Sequence, residues 1–321
     1  MSKKIISVVG ATGIQGGSVI NTLINNKVYH IRAITRNPAS EAAQELAKRG
    51  VQVVQADVAD VSSLIAAFEG SAAIFAMTNF AEGYFASGSV ERAIEIEGDH
   101  GINLAKAAAA TSTLEHYVWS TLPNSMEMTG GKFMVPQFAG KNQVDKFIQS
   151  DSALLAKTTF FVLGFYQENF TYPMFAPVEI PGAGQYVQLL CTPGNTRILS
   201  LGHARENIGL FVDAILAQPE KTLPAKFVSA FVEEIQMEEM LKVWSQVHEE
   251  KAHYIHVDRN IFTELWTNTG IDMLASMMDF HQSMDVNPFS GVGEVLNKDD
   301  LGVVGLKGVK ASFESLMGSI I

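Results

Sequence analysis

Gly10-Ala11-Thr12-Gly13-Ile14-Gln15-Gly16 decides the fold through what stands on either side of it. Before it, Ile5 to Val9 is a short apolar run that reads as a strand; after it, Gln15 to Asn25 carries a helical pattern. Gly10 lets the chain turn sharply between the two, and Gly13 and Gly16 let backbone and helix come close to a ligand. Amides at the start of a helix, with the dipole behind them, favour a pyrophosphate there. An ordinary glycine-rich turn would look similar in isolation. Its position directly after a first strand points to dinucleotide binding, with Gly10, Thr12, Gly13, Ile14, Gln15 and Gly16 against the phosphates.

Beyond this loop, strand and helix patterns alternate. Ile31 to Thr35, Val51 to Gln55, Ala73 to Phe75, Tyr117 to Ser120 and Thr159 to Leu163 read as strands. Ser40 to Arg49, Val61 to Phe68, Ser89 to Ala110 and Phe138 to Gln149 read as the intervening helices. Most of the strands are buried apolar runs, which argues an α/β, doubly wound parallel sheet covered on both faces. Residues 1–164 form that sheet domain. After Gly164 the pattern breaks into loops and short strands rich in proline and glycine. Residues 200–231, with a helix from Ala204 to Gln218, return to the sheet. Residues 165–199 and 232–321, with a helix from Met237 to Val247, form a smaller, discontinuous C-terminal α+β lobe over the carboxyl ends of the strands, where open sheets bind ligands.

The 321 residues carry 23 Lys and Arg against 34 Asp and Glu, a net charge of −11. That repels phosphate backbones, so no direct nucleic-acid contact is expected. One cysteine, Cys191, excludes an internal disulfide framework. The opening residues are too short for a signal-peptide core, and no apolar run reaches the ~18 residues of a membrane span. The expectation is a cytoplasmic protein, or one also nuclear if regulatory, with no membrane contact.

The second strand ends in Thr35-Arg36-Asn37. An acid here would hold a free ribose 2′-hydroxyl, whereas a guanidinium forks onto a 2′-phosphate. Arg36, with no acid beside it in sequence, selects NADP(H). Asp57 and Val58 follow the third strand, and Asp57 stands either to meet the adenine or to cap the next helix. Thr78 and Asn79 follow the fourth strand, where they pass the cofactor's ribose and pyrophosphate or simply form the turn.

Gly10 to Gly16, Thr35-Arg36-Asn37-Pro38 and Val54-Gln55-Ala56-Asp57 together resemble the NmrA-like branch of the atypical short-chain dehydrogenases. Val118-Trp119-Ser120-Thr121, Phe138-Ala139-Gly140-Lys141 and Gly164-Phe165-Tyr166-Gln167-Glu168-Asn169 extend the resemblance. It implies a Rossmann domain with a small C-terminal lobe and NADP(H) binding. It also implies one of two roles: a reductase of quinones, enones or aromatic carbonyls, or a non-catalytic NADP(H) redox sensor and negative transcriptional regulator acting through a protein partner.

Ordinary short-chain dehydrogenases place a tyrosine four residues before a lysine. Here Lys141 is kept and Gln137 takes the tyrosine's place, and an amide is no acid or base near neutral pH. Lys141 either hydrogen-bonds the nicotinamide ribose or acts itself as acid and base, since burial beside an oxidised nicotinamide would favour the neutral amine. Ser120 ends the fifth strand, where such folds present a serine to substrate and cofactor. Tyr166, or Tyr84, is the candidate replacement phenol. Phe80, Tyr84, Phe85, Phe133, Phe165 and Tyr166 are expected to wall a pocket for a small hydrophobic or aromatic substrate.

His248, His253 and His256 cluster in sequence, but residues three apart on a strand face opposite ways, so no metal site is expected. Cys191 reads as a structural thiol. Phe289-Ser290-Gly291-Val292-Gly293 lacks the spacing of a hydrolase nucleophile. Met273, Met277, Met278 and Met284 read as adaptable core packing, or alternatively as a protein-binding surface.

Overall fold

The computed structural model describes residues 3–266, 270–284 and 294–317. Phe289 to Gly293 lie outside the described residues. Six strands and eight helices lead to residue 163. The strands are β1 (Lys4–Val9), β2 (Tyr29–Thr35), β3 (Gln52–Gln55), β4 (Ser71–Ala76), β5 (His116–Thr121) and β6 (Thr158–Leu163). The helices are α1 (Ile14–Leu23), α2 (Glu41–Lys48), α3 (Val61–Phe68), α4 (Phe80–Ser87), α5 (Val90–Ala110), α6 (Ser125–Met128), α7 (Pro136–Ser150) and α8 (Ser152–Leu155).

Then come β7 (Phe165–Tyr166), β8 (Val178–Ile180), β9 (Gln185–Leu190), β10 (Arg197–Gly202), α9 (Ala204–Ala217), α10 (Pro219–Thr222), β11 (Lys226–Ala230) and β12 (Glu233–Gln236). The chain continues through α11 (Met237–His248), β13 (Ala252–His256), α12 (Arg259–Leu265), α13 (Ile271–Met284), β14 (Val295–Leu296) and α14 (Val309–Leu316).

The main sheet has the order β14-β11-β6-β5-β4-β1-β2-β3, and every pairing in it is parallel. β4, β5 and β6 are buried along their whole length, which is why they read as unbroken apolar runs rather than alternating ones. Neighbouring residues point to opposite faces. Val8 packs with Val19, Ile20, Ile208 and Phe211 of α1 and α9, while Val9 packs with Leu104, Trp119 and Val144 on the side of α5 and α7. This is a doubly wound Rossmann-type sheet.

Local sequence explains the helix starts. Ser40, Asp60, Asn79 and Ser89 accept hydrogen bonds from the first-turn amides of α2, α3, α4 and α5. Glu168, inside the Gly164 to Asn169 motif, accepts from the amides of Ala204 and Arg205 at 3.1 Å and so holds the start of α9.

Two small sheets, β12-β10-β7 and β13-β9-β8, build the lobe with α11 to α14. Their core gathers Phe165, Phe170, Met237, Trp244, Phe262, Met278 and Phe313, with Cys191 buried among them. One boundary differs from the expectation that 232–321 lies wholly in the lobe. β14 adds to the main sheet beside β11, pairing Phe227 with Val295 and Val228 with Leu296. The chain then passes α9, where Asn207 bonds both the amide and the carbonyl of Lys307 at 2.9 and 2.8 Å. Among the described residues, no helix is long and apolar enough to cross a membrane.

Candidate functional site: a nucleotide groove and an adjoining apolar cavity

At the end of β1, Gly10 turns the chain with φ +67°, a conformation costly for any residue with a Cβ. The amide of Gly13 closes the turn on the Gly10 carbonyl at 2.9 Å. A Cβ on Gly16 would lie 2.4 Å from that same carbonyl oxygen, so only glycine lets α1 approach the turn this closely. No side chain caps the first amides of α1. They face a groove of about 440 Å³ lined by Gly10, Thr12, Gly13, Ile14 and Gln15, by Thr35 and Arg36 after β2, and by Val58, Thr78 and Asn79. Uncapped amides at one end and a guanidinium farther along suit a ligand with two separated phosphate groups.

Two residues expected at the phosphates or adenine have other duties. Gly16 lies beneath the turn and does not line the groove. Asp57 accepts from the amide of Ala59 at 2.9 Å, and its own amide donates to Ser63 Oγ at 3.0 Å, so it shapes the turn before α3. The helix cap itself is Asp60. Arg36 also differs from its reading: no acid adjoins it in sequence, yet α4 brings Glu82 to it as an ion-pair partner, and Glu82 lines the same groove.

Gln15 also lines a second cavity, of about 240 Å³, so the groove and the cavity adjoin. The strand ends supply its base: Ser120, Thr121, Leu163, Gly164 and Ser229. Gln137, Phe138 and Lys141 of α7 form one side, Phe165 and Tyr166 another, and Met277, His281 and Met284 reach in from α13. The lining is largely apolar. The Oγ of Ser120 and the Oε1 atoms of Gln15 and Gln137 are buried without hydrogen-bond partners. Such orphaned atoms are costly unless a ligand satisfies them.

Lys141 is buried, and its Nζ donates to the carbonyl and Oγ1 of Thr78 at 3.0 and 2.9 Å. Glu97 Oε1 lies 3.4 Å away, and the Thr78 hydroxyl donates to that same oxygen at 2.9 Å. Two of the three ammonium hydrogens are therefore committed. One turn on, Asp145 accepts from Trp119 Nε1 and Thr121 Oγ1, both at 2.8 Å, and burial pushes its carboxyl up to about 6. Tyr166 accepts from Gln15 Nε2 at 3.0 Å, leaving its hydroxyl proton free, and burial pushes its pKa well up.

Of the six aromatic residues expected as pocket walls, Phe165 and Tyr166 line the cavity. The other four do not. Phe85 is 80% exposed on α4, because the helix turns it to solvent. Phe80 is buried and stacks on Tyr84 with centroids 6.1 Å apart, away from both spaces. Phe133 packs beside Phe138 and Phe280 instead. His281 is not singled out by the sequence, and Met277 and Met284, read there as core packing or a protein-binding surface, line the cavity instead. Their 277, 281, 284 spacing is that of one helix face, but nothing in the sequence joins that face to Ser120 or Lys141. Met278, off that face, is fully buried in the lobe core.

The histidine cluster resolves into local contacts. His253 bonds Gln185 Oε1 at 2.8 Å, and His248 Nδ1 meets the Trp244 carbonyl at 2.9 Å. Among the described residues no group of three His, Cys, Asp or Glu side chains could hold a metal ion.

A parallel sheet wrapped by helices, with a glycine turn opening onto a groove and an apolar cavity beside it, defines a Rossmann-type protein with a smaller lobe. The chain belongs to the NmrA-like family, whose model matches residues 2–299. It is 35% identical over 175 residues to an NmrA-like family domain-containing oxidoreductase of Aspergillus hancockii. That match covers 54% of this chain and only 50% of the relative, so the chain spans about half of that protein's length. Among solved structures, it resembles the negative transcriptional regulator Nmra in complex with NAD, with a TM-score of 0.75 at 20% identity, over 99% of this chain and 96% of that one. It also resembles an NADPH-dependent quinone oxidoreductase of Escherichia coli complexed with NADPH, with a TM-score of 0.71 at 19% identity, over 97% and 99% of the two chains.

Proposed function

We propose that the protein binds NADP(H) in the groove and reduces a small, flat, apolar carbonyl, enone or quinone in the adjoining cavity. The observation that carries this reading is the shared wall: Gln15 belongs to both spaces, so a dinucleotide laid from Arg36 past the α1 amides would end at the cavity. Bound NADPH would supply the hydride. Ser120 Oγ, buried and unpartnered, would donate to the substrate oxygen. Lys141 has one hydrogen left after Thr78, for the ribose or for that oxygen. Tyr166 offers a second proton from across the cavity. Gln137 cannot give one. The oxidoreductases among the relatives and neighbours are consistent with this chemistry.

A second reading is a cofactor sensor that alters a protein partner's affinity, and Gln137 supports it. In place of a proton donor, the site has an amide that bridges α7 to the Met273 carbonyl of α13 at 3.4 Å. Such a sensor must bind oxidised and reduced cofactor unequally. Loss of NADPH absorbance with quinones, enones and aromatic ketones separates the two. Turnover supports the reductase; no turnover, together with unequal affinity for NADP⁺ and NADPH, supports the sensor.

A further inference from the structure

His281 enters the cavity from α13 between Met277 and Met284, the polar member of an otherwise apolar helix face. No described residue hydrogen-bonds its ring. Burial pushes its pKa down to about 4, so near neutral pH the ring is uncharged, with one nitrogen donating and the other accepting. Gln137 lines the same cavity. Its Nε2 is held by the Met273 carbonyl of the same helix, which leaves its buried Oε1 as an acceptor with no donor. Lys141 does not bond to it: the side-chain hydrogen bonds of its Nζ go to Thr78.

The site therefore presents, beside α13, the unpartnered acceptor Gln137 Oε1 and the His281 ring, which can accept at one nitrogen, in addition to the unpartnered Ser120 hydroxyl at the strand end. A wholly apolar ligand would leave Gln137 Oε1 and the His281 ring without a partner, and a buried polar group without a partner penalises the ligand that strands it.

We propose that His281 and Gln137 form a specificity subsite that selects substrates carrying a hydroxyl or N–H donor on the ring system, besides the group that is reduced. The subsite rests on the reading of the cavity as the substrate site. His281 binds and orients; it is not assigned the proton that completes reduction.

The test uses the full chain and two matched pairs of probes. With NADPH, the reduction of 6-hydroxy-1,4-naphthoquinone is compared with that of 1,4-naphthoquinone. With NADP⁺ bound, calorimetry compares 2-naphthol with naphthalene, neither of which can react. The hydroxylated member of each pair should be preferred by about tenfold to a hundredfold. In the quinone pair the preference should lie in KM rather than kcat. In His281→Leu both preferences should collapse towards one, and His281→Asn, which keeps an acceptor, should restore part of them. Should His281→Leu fail to fold, the His281→Asn shift and the wild-type discrimination still decide. Selective binding of 2-naphthol that falls in the His281 variants upholds the subsite even if no quinone turns over, a result that would count against the reductase alone. Equal binding of the naphthol pair, or discrimination unchanged in both variants, overturns the subsite even if the quinones are reduced.

Discussion

Arg36 and Glu82, 46 residues apart, form an ion pair at the wall of the nucleotide groove. The guanidinium that would receive a 2′-phosphate is thus already held by a carboxylate, and the phosphate must replace or share that contact. Both side chains are substantially exposed, so the pair itself is worth no more than about 1 kcal/mol. Glu82→Gln should tighten NADPH binding by up to about fivefold, by removing a carboxylate that competes for Arg36 and repels the 2′-phosphate, and change NADH less. Arg36→Glu should weaken NADPH by roughly tenfold or more and leave NADH less affected. Nicotinamide fluorescence titrations measure both; an unchanged NADPH to NADH ratio in either variant would remove that side chain from cofactor choice.

Lys141 and Glu97 constrain how the lysine can be tested. Both are buried, so Lys141→Ala strands a carboxylate in the interior and should cost about 3–5 kcal/mol of stability. The double change Lys141→Met with Glu97→Gln should recover much of that in urea melts. If Lys141 supplies the proton, the folded double variant should lose about 10²- to 10⁴-fold in kcat. If it only holds the ribose, cofactor affinity falls while kcat at saturation holds.

His116 makes a pH prediction away from the site. Thr159 Oγ1 donates to the Thr222 carbonyl at 2.8 Å, so it accepts from His116 Nε2 at 2.8 Å and fixes a proton on that nitrogen. Burial pushes this histidine from its ordinary 6.5 down to about 4. The unfolded chain therefore takes up its proton first as pH falls. Stability drops from about pH 6.5 to about pH 4 and is unaffected above that window. The gap corresponds to about 3 kcal/mol. Asp145, raised from 3.8 to about 6, acts in the opposite sense, since its penalty is relieved on acidification. The two nearly offset each other, so the readout is a difference: His116→Gln should be more acid-resistant than the unaltered protein by up to about 3 kcal/mol at pH 4. Parallel pH profiles for the two proteins would contradict this.

Gly16→Ala should disrupt nucleotide binding more than it disturbs the fold. The added methyl meets the Gly10 carbonyl and pushes the start of α1 from the turn. Overpacking of this kind costs about 1–3 kcal/mol. Calorimetry should show cofactor affinity lost while circular dichroism stays native.

The phosphate turn was legible because its cause is local. A strand and a helix joined directly through Gly10 to Gly13 leave few other geometries, and Gly10, Gly13 and Ser40 act where they were read. α4 was not anticipated, although Asn79 before it and Gly88 after it are cap signals that frame eight residues. Reading that helix would have turned Phe85 outward and Glu82 towards Arg36. His281 was beyond the reach of periodicity. Its helix face is visible in sequence, but its placement over Ser120 depends on how the lobe folds back across more than a hundred residues. The sequence leaves Asp57 open because its two duties look identical there; its Ala59 and Ser63 contacts place it in the turn before α3, with Asp60 as the cap.

The return of β14 to the main sheet, followed by the clasp of Lys307 on Asn207, stitches the two halves of the molecule together twice. Such a lobe cannot swing like a jaw on one hinge. Heating should melt sheet and lobe as a single cooperative unit.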